Sequence, residues 1–315
     1  MSLNDISDLI RQLKGRGAKS VALQFPEGLK RKAAGIASDL RTAGFEVIIS
    51  GDPCYGACDL ALDTLNYANV LVHFGHAPIT EHPDIIYEPY RIDFEINILE
   101  KALPLLRGRI LGLVTTIQHT HSIPAMRSFL QEKGFDVRIS NGGSRTPQTG
   151  QVLGCNFEAA TKTGAPEILF VGTGLFHPIG IALSTRSRVI ALDPLTGIAS
   201  EVSGDTLLRR RFAVMEKART ASSVGIIVST KSGQKRLDLA RRLVSLSPLA
   251  TIVMMHEVIP DELLNLGFDA YVNTACPRLA YDDQIRFPVP VLSPPEFEII
   301  CGVRSWDDYT IDEIL

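Results

Sequence analysis

Short apolar runs alternate with amphipathic helical stretches along almost the whole of this 315-residue chain, and that alternation constrains the fold more than any other feature. Residues 20–25, 70–74, 110–114, 168–171, 189–192, 224–229 and 251–255 are brief apolar segments of strand length. Between them, residues 6–13, 29–42, 59–67, 96–106, 123–133, 179–183, 206–221 and 234–246 show helical spacing or lie between chain breakers. Strand–helix alternation with short links builds mostly parallel sheets covered by helices on both faces, so the expected class is α/β. Three further strands open on one local pattern: Gly44-Phe45-Glu46, Gly134-Phe135-Asp136 and Gly267-Phe268-Asp269, leading into residues 45–50, 135–139 and 268–272. Each is followed by a cysteine, Cys58, Cys155 and Cys276 in turn. The pattern implies three similar domains, 1–95, 96–202 and 203–315, each a small mostly parallel sheet flanked by helices. Each would deliver one thiolate from a loop beyond a strand, where open α/β sheets place their sites.

Composition narrows the function. A hydrophobic fraction of 45% and a charged fraction of 21% are those of an ordinary soluble protein. A net charge of -3 argues against a non-specific binder of phosphate backbones, and so against direct nucleic-acid partners. Residues 1–14 are polar and amphipathic, unlike a signal peptide, and no apolar run reaches the roughly 18 residues of a membrane span. The expected location is cytoplasmic. Five cysteines in a cytosolic chain argue for metal or redox chemistry over a disulfide framework, although any one of them reads first as a small buried hydrophobe.

The cysteine segments carry the chemistry. In Gly51-Asp52-Pro53-Cys54-Tyr55-Gly56-Ala57-Cys58-Asp59, glycine and proline make a turn and Asp59 is suited to begin a helix. A thiolate there would be stabilised by helix amides. Two cysteines four apart suit a metal, but the three-cysteine signature of radical S-adenosylmethionine enzymes is missing. Cys155 lies in Leu153-Gly154-Cys155-Asn156 and Cys276 in Asn273-Thr274-Ala275-Cys276-Pro277-Arg278, each after a strand and polar turn residues. Three such thiolates can hold an iron–sulfur cluster and leave one iron open to substrate. Zinc ligands usually come in close pairs, so zinc fits less well and stays open as an alternative. Cys301 sits in apolar sequence and reads as packing; Cys54 reads as a non-ligand.

Other segments suit ligands more weakly. Gly172-Thr173-Gly174 and Ser229-Thr230-Lys231-Ser232-Gly233-Gln234 each follow a strand and offer backbone N–H groups at a helix start. Asp193 ends a strand, where it could bond a ribose. The pairs His73/His76 and His119/His121 suggest metal, but core or cap hydrogen bonding is the commoner role of such histidines. Arg209-Arg210-Arg211 and Arg241-Arg242 read as solvated helix faces. Arg278 is placed to clamp a carboxylate, or to pair with Asp282 or Asp283.

The stretches Gly51 to Asp59, Val72-His73-Phe74-Gly75-His76, Gly172-Thr173-Gly174-Leu175-Phe176-His177, Leu192-Asp193-Pro194, Ser229 to Gln234 and Thr274 to Arg278, in this order, resemble the archaeal diphthamide synthase family. The resemblance covers almost the whole chain. It implies three α/β domains in a triangular arrangement, a homodimer, and a central [4Fe-4S] cluster with one cysteine from each domain: Cys58, Cys155 and Cys276. It implies S-adenosylmethionine as cosubstrate, an electron donor, and translation elongation factor 2 as protein substrate. One electron would cleave the bond between sulfur and the γ-carbon of the methionine moiety. The resulting 3-amino-3-carboxypropyl radical would add to a histidine of the factor, leaving methylthioadenosine. The expected cosubstrate contacts are Ser229, Gly233 and Gln234, with His177, Asp193 and Arg278 nearby. Three rivals share parts of this pattern: a quinolinate synthase with a Lewis-acid cluster, a non-catalytic electron-delivery subunit, and a structural zinc protein.

Overall fold

All ten strands expected from the sequence form, and three sheets are laid down in one order. The structure, a computed structural model, describes residues 6–315. The first sheet comprises β1 (Ser20–Gln24), β2 (Glu46–Ile49), β3 (Val70–Phe74) and β4 (Ile85–Glu88), in the order β2-β1-β3-β4 and parallel throughout. Helices α1 (Ser7–Gly15) and α2 (Ala33–Thr42) cover one face, burying Leu9, Leu13, Ile36 and Leu40 against Val21, Leu23 and Val72. The other face buries Ala22, Leu71 and Ile85.

The second sheet comprises β5 (Ile110–Thr115), β6 (Asp136–Arg138), β7 (Glu167–Val171), β8 (Arg188–Leu192) and β9 (Ala199–Val202), in the order β6-β5-β7-β8-β9. Only its last pair is antiparallel. Helices α3 (Ile123–Glu132), α4 (Glu158–Thr161) and α5 (Phe176–Thr185) lie along this stretch. Helix α6 (Asp205–Ala218) leads into the third sheet of β10 (Val224–Ser229), β11 (Ala250–Met255), β12 (Ala270–Asn273) and β13 (Val291–Leu292), ordered β11-β10-β12-β13 and parallel. Here α7 (Leu237–Val244), α8 (Pro260–Leu266), α9 (Arg278–Tyr281) and α10 (Pro294–Ile300) complete the helices. The described residues form two compact units: one runs to Asp93 and takes in Ile117–Ser122, and the other comprises Phe94–Thr116 with Ile123–Leu315 and so holds the second and third sheets.

The Gly-Phe pattern marks a turn and not an equivalent strand. β2 and β6 are edge strands, whereas β12 lies between β10 and β13. What the three sites share is the glycine: Gly44, Gly134 and Gly267 have φ of +95°, +87° and +72° at the ends of α2, α3 and α8. This is the left-handed conformation that stops a helix, after which the chain enters a strand. Two expected helices are short 3-10 turns instead. Residues 59–67 give only Leu62–Asn66, and 96–106 give Ile96–Lys101 and Leu103–Leu105, the latter containing Pro104.

Arg211 corrects the expectation of a solvated arginine face. It is 1% exposed, with Nε and Nη2 donating to the Glu296 carboxylate at 2.8 and 2.6 Å and Nη2 also donating to the Val291 carbonyl at 2.7 Å. Its neighbours Arg209 and Arg210 are exposed, so the run of three straddles the helix edge. Glu296 also accepts the Ser293 amide at the start of α10 and the Tyr309 hydroxyl, so one fork joins α6, β13 and α10. Removing one partner of a buried pair leaves an uncompensated charge. Arg211→Met is therefore expected to destabilise the second unit by about 3–5 kcal/mol, read from denaturant midpoints followed by Trp306 fluorescence.

Candidate functional site

In the first unit the site elements lie at the carboxyl ends of the parallel strands. Gln24 and His73 are register partners at the ends of β1 and β3. Gln24 Oε1 lies 2.8 Å from His73 Nδ1 and accepts the Ala61 amide, while its Nε2 donates to the Asp59 carbonyl at 2.6 Å. The loop after β2 is thereby tied to β1 and β3. Asp59 is buried, and its carboxylate accepts the Tyr55 amide at 3.4 Å. It begins no helix, so the expected helix dipole is not available to the half-buried Cys58. Cys54 is 2% exposed and lies beside two histidines. His73 Nε2 and His76 Nδ1 are 3.0 Å apart. Burial, then the neighbouring His76, lowers the His73 pKa to about 3; burial lowers that of His76 to about 4 against the opposing pull of Asp59. Both rings are neutral near pH 7. The other pair takes ordinary roles: His119 Nδ1 meets the Ile92 carbonyl at 2.9 Å and His121 Nε2 the Asp93 carboxylate at 2.8 Å.

In the second unit the segments bearing Cys155 and Cys276 come together. A Cβ on Gly154 would lie 2.6 Å from the Phe176 ring and 3.7 Å from Arg278 Cδ, so only glycine lets these three approach. The Arg278 guanidinium stacks 4.9 Å from the centre of the Phe176 ring and pairs with Asp282 at 2.6 Å. The ion pair foreseen for Arg278 is present, and its side chain is still 54% exposed and accessible to an anion. His177 follows Phe176 at the start of α5 and stacks on Phe170 at 5.8 Å. Its pKa falls to about 4, through burial first and the positive Arg278 second. Both cysteines are half-buried.

Arg236 joins the two cysteine loops. Its Nε donates to the Thr274 carbonyl at 2.7 Å and Nη2 to the Ala275 carbonyl at 3.1 Å, just before Cys276. The same fork holds the buried Asp312 carboxylate at 2.6 and 2.8 Å. Two residues on, the Ile314 amide donates to the Cys155 carbonyl at 2.7 Å and its carbonyl accepts from Asn156 Nδ2 at 3.2 Å. Sequence reasoning missed Arg236 and this tail: nothing local marks a basic residue whose partners lie about 40 and 76 positions away.

The loop after β10 is ordered by its own bonds. Ser229 Oγ accepts the Lys231 amide at 3.1 Å, the Gln234 amide returns to the Lys231 carbonyl at 3.1 Å, and buried Lys231 pairs with Glu257. Ser229 and Gln234 are also buried. Arg145 Nη2 donates to the Gly233 carbonyl at 3.0 Å, and its buried Nε has no hydrogen-bond partner among the described residues. Asp193 is placed differently from the others: its carboxylate accepts the Leu195 and Thr196 amides in the turn from β8 to β9. Cys301 is half-buried against the third-sheet core, and burial raises its pKa, in keeping with packing.

The sequence matches the profile of the diphthamide synthesis proteins over residues 25–311, nearly the full described length. This chain belongs to the diphthamide synthesis protein family. Among members of the diphthamide synthesis family, the 2-(3-amino-3-carboxypropyl)histidine synthase of Pyrococcus horikoshii is 39% identical, over 98% of this chain and 93% of that protein. The same-named protein of Methanocaldococcus jannaschii is 27% identical over 97% and 91%, and subunit 1 from Nematostella vectensis is 32% identical over 96% and 68%. The fold agrees: the crystal structure of Dph2 from Pyrococcus horikoshii with a 4Fe-4S cluster superposes with a TM-score of 0.93 at 38% identity, covering 98% of this chain and 93% of that one.

Asp312→Asn keeps the shape of the Arg236 contact and removes its charge. The expected loss is about 1.5–3 kcal/mol in the second unit, with faster hydrogen exchange at the Ile314 amide than at the Ser229 amide.

Proposed function

We propose that this protein is a 2-(3-amino-3-carboxypropyl)histidine synthase. In this reading it transfers the 3-amino-3-carboxypropyl group of S-adenosylmethionine to a histidine of translation elongation factor 2, the first step of diphthamide synthesis. Three α/β domains, 1–95, 96–202 and 203–315, would each give one ligand, Cys58, Cys155 and Cys276, to a [4Fe-4S] cluster. The working form would be a cytoplasmic homodimer served by an electron donor. No helix among the described residues is long and apolar enough to cross a membrane.

The observation that carries the proposal is the meeting of Gly154, Phe176 and Arg278, which brings the loops of Cys155 and Cys276 to one place with a cation and a neutral imidazole beside them. Half-buried cysteines on loops beyond strand ends are the soft donor set an iron–sulfur cluster takes. Asn273 shapes the loop of one of them, its Nδ2 donating to the Cys276 carbonyl at 2.8 Å while Oδ1 accepts the Ala275 amide at 3.0 Å. When bound, the cluster supplies one electron that breaks the bond between the sulfonium sulfur and the γ-carbon. The protein's own part is positioning. Arg278 is suited to a carboxylate, and neutral His177 adds no competing positive charge. Ser229, Gly233 and Gln234 would hold the cosubstrate, with Arg145 behind Gly233. Fixing the amino-acid end decides which of three carbon–sulfur bonds faces the reductant, a positioning effect.

Anaerobic reconstitution with iron and sulfide, followed by reduction in the presence of S-adenosylmethionine and elongation factor 2, is expected to give methylthioadenosine and a mass increase on one histidine of the factor. An unmodified factor with intact S-adenosylmethionine would sink the proposal. Cys58→Ala, Cys155→Ala and Cys276→Ala are each expected to lose cluster iron and sulfide and to abolish transfer. Gln234→Ala is expected to weaken S-adenosylmethionine binding about tenfold by calorimetry, the worth of one good hydrogen bond.

A further inference from the structure

The first unit holds a ligand set that the proposed reaction leaves unused. Cys54 Sγ, one ring nitrogen of His73 and one of His76 all lie within 4.8 Å of one another. None of the three is among the proposed cluster ligands. We propose that Cys54, His73 and His76 bind a borderline divalent cation of the zinc class, with a fourth position left to water.

Three features of the fold prepare the set. His73 Nδ1 faces Gln24 Oε1, and that oxygen is fixed as an acceptor because it also takes the Ala61 amide, while the Gln24 amide nitrogen donates to the Asp59 carbonyl. The His73 proton is therefore held on Nδ1 and the Nε2 lone pair points towards His76. A ligating histidine with its far nitrogen anchored to an acceptor is the usual arrangement around a metal. Second, the chain reverses between the two histidines at Gly75, which has φ of +93° and whose Cβ, if it had one, would lie 2.8 Å from Pro26 Cγ. Only glycine lets the second ring fold back on the first. Third, the facing nitrogens of the rings are 3.0 Å apart. Two nitrogens on a tetrahedral zinc are separated by about 3.3 Å, given bonds of about 2.0 Å, so the rings need part by only a few tenths of an ångström. A thiolate with two imidazoles is a borderline-soft set that suits zinc over magnesium or calcium. On binding, the proton on His76 Nδ1 would move by exchange with solvent to Nε2 of the same ring, leaving that ring neutral, and the Cys54 thiol would release its own proton to solvent. It would also tie the loop after β2, which carries Cys58, to the end of β3.

The test uses the full-length protein reconstituted anaerobically with iron and sulfide, incubated with stoichiometric zinc and passed through gel filtration. One zinc per chain is expected in the wild type, falling at least tenfold in Cys54→Ala and in His76→Gln, with iron and sulfide unchanged. X-ray absorption at the zinc edge should show one sulfur and two imidazole nitrogens. Should His76→Gln fail to fold by circular dichroism, Cys54→Ala and the absorption spectrum decide. Wild-type protein without zinc, zinc retained by Cys54→Ala, or a sulfur-rich zinc shell from the other cysteines would each overturn the inference. A chain that takes up no iron but binds zinc through Cys54 would end the cluster reading and leave this one standing.

Discussion

The two cysteine loops of the second unit are linked through one guanidinium. Arg236 gives four of its donors to two carbonyls before Cys276 and to the buried Asp312 carboxylate, and the tail that carries Asp312 goes on to bond the Cys155 carbonyl. Loops beyond strand ends are otherwise the least restrained parts of an α/β fold. Here two of them are referred to a single planar cation whose fork geometry tolerates little displacement. A lysine could supply the charge but not the several directed bonds.

Repetition supplies the rest of the architecture. All three sheets share the order second, first, third, fourth strand, the second sheet adding an antiparallel fifth, so one arrangement of parallel strands is used three times. The consequence for chemistry is that polar residues at strand ends gather on one edge of each sheet. Gln24 and His73 illustrate it in the first sheet, and Ser229 and Asn273 sit at the ends of adjacent β10 and β12 in the third.

Much of this was legible in the sequence because it is local. Seven apolar runs and three Gly-Phe openings placed all ten expected strands, and the glycines of those openings stand where helices end. β4, β9 and β13 were not legible: they are two to four residues long and owe their pairing to neighbours already in place. Helical spacing over 59–67 misled because Gln24, not an intrahelical ladder, satisfies the Asp59 carbonyl and the Ala61 amide. Arg211 misled in the opposite sense. A run of three arginines looks solvated, and only Glu296, 85 residues away, makes burial of the third one tolerable. The cysteine positions were legible as a repeated motif and as a family pattern. The proximity of Cys54 to His73 and His76 was not, since it depends on a glycine reversal and a cross-strand glutamine.

The tail contact also has a consequence for the order of events in the cell. During synthesis the segments around Cys155 and Cys276 leave the ribosome before Asp312 and Ile314, the residues that anchor them. Until those partners emerge, the Cys155 loop lacks its bonds to Ile314 and Arg236 lacks its carboxylate partner, although Arg236 and Asn273 can already hold the Cys276 loop. The ordering of the Cys155 loop is thereby coupled to docking of the 312–314 segment, a pairing across more than 150 positions that closes late in folding.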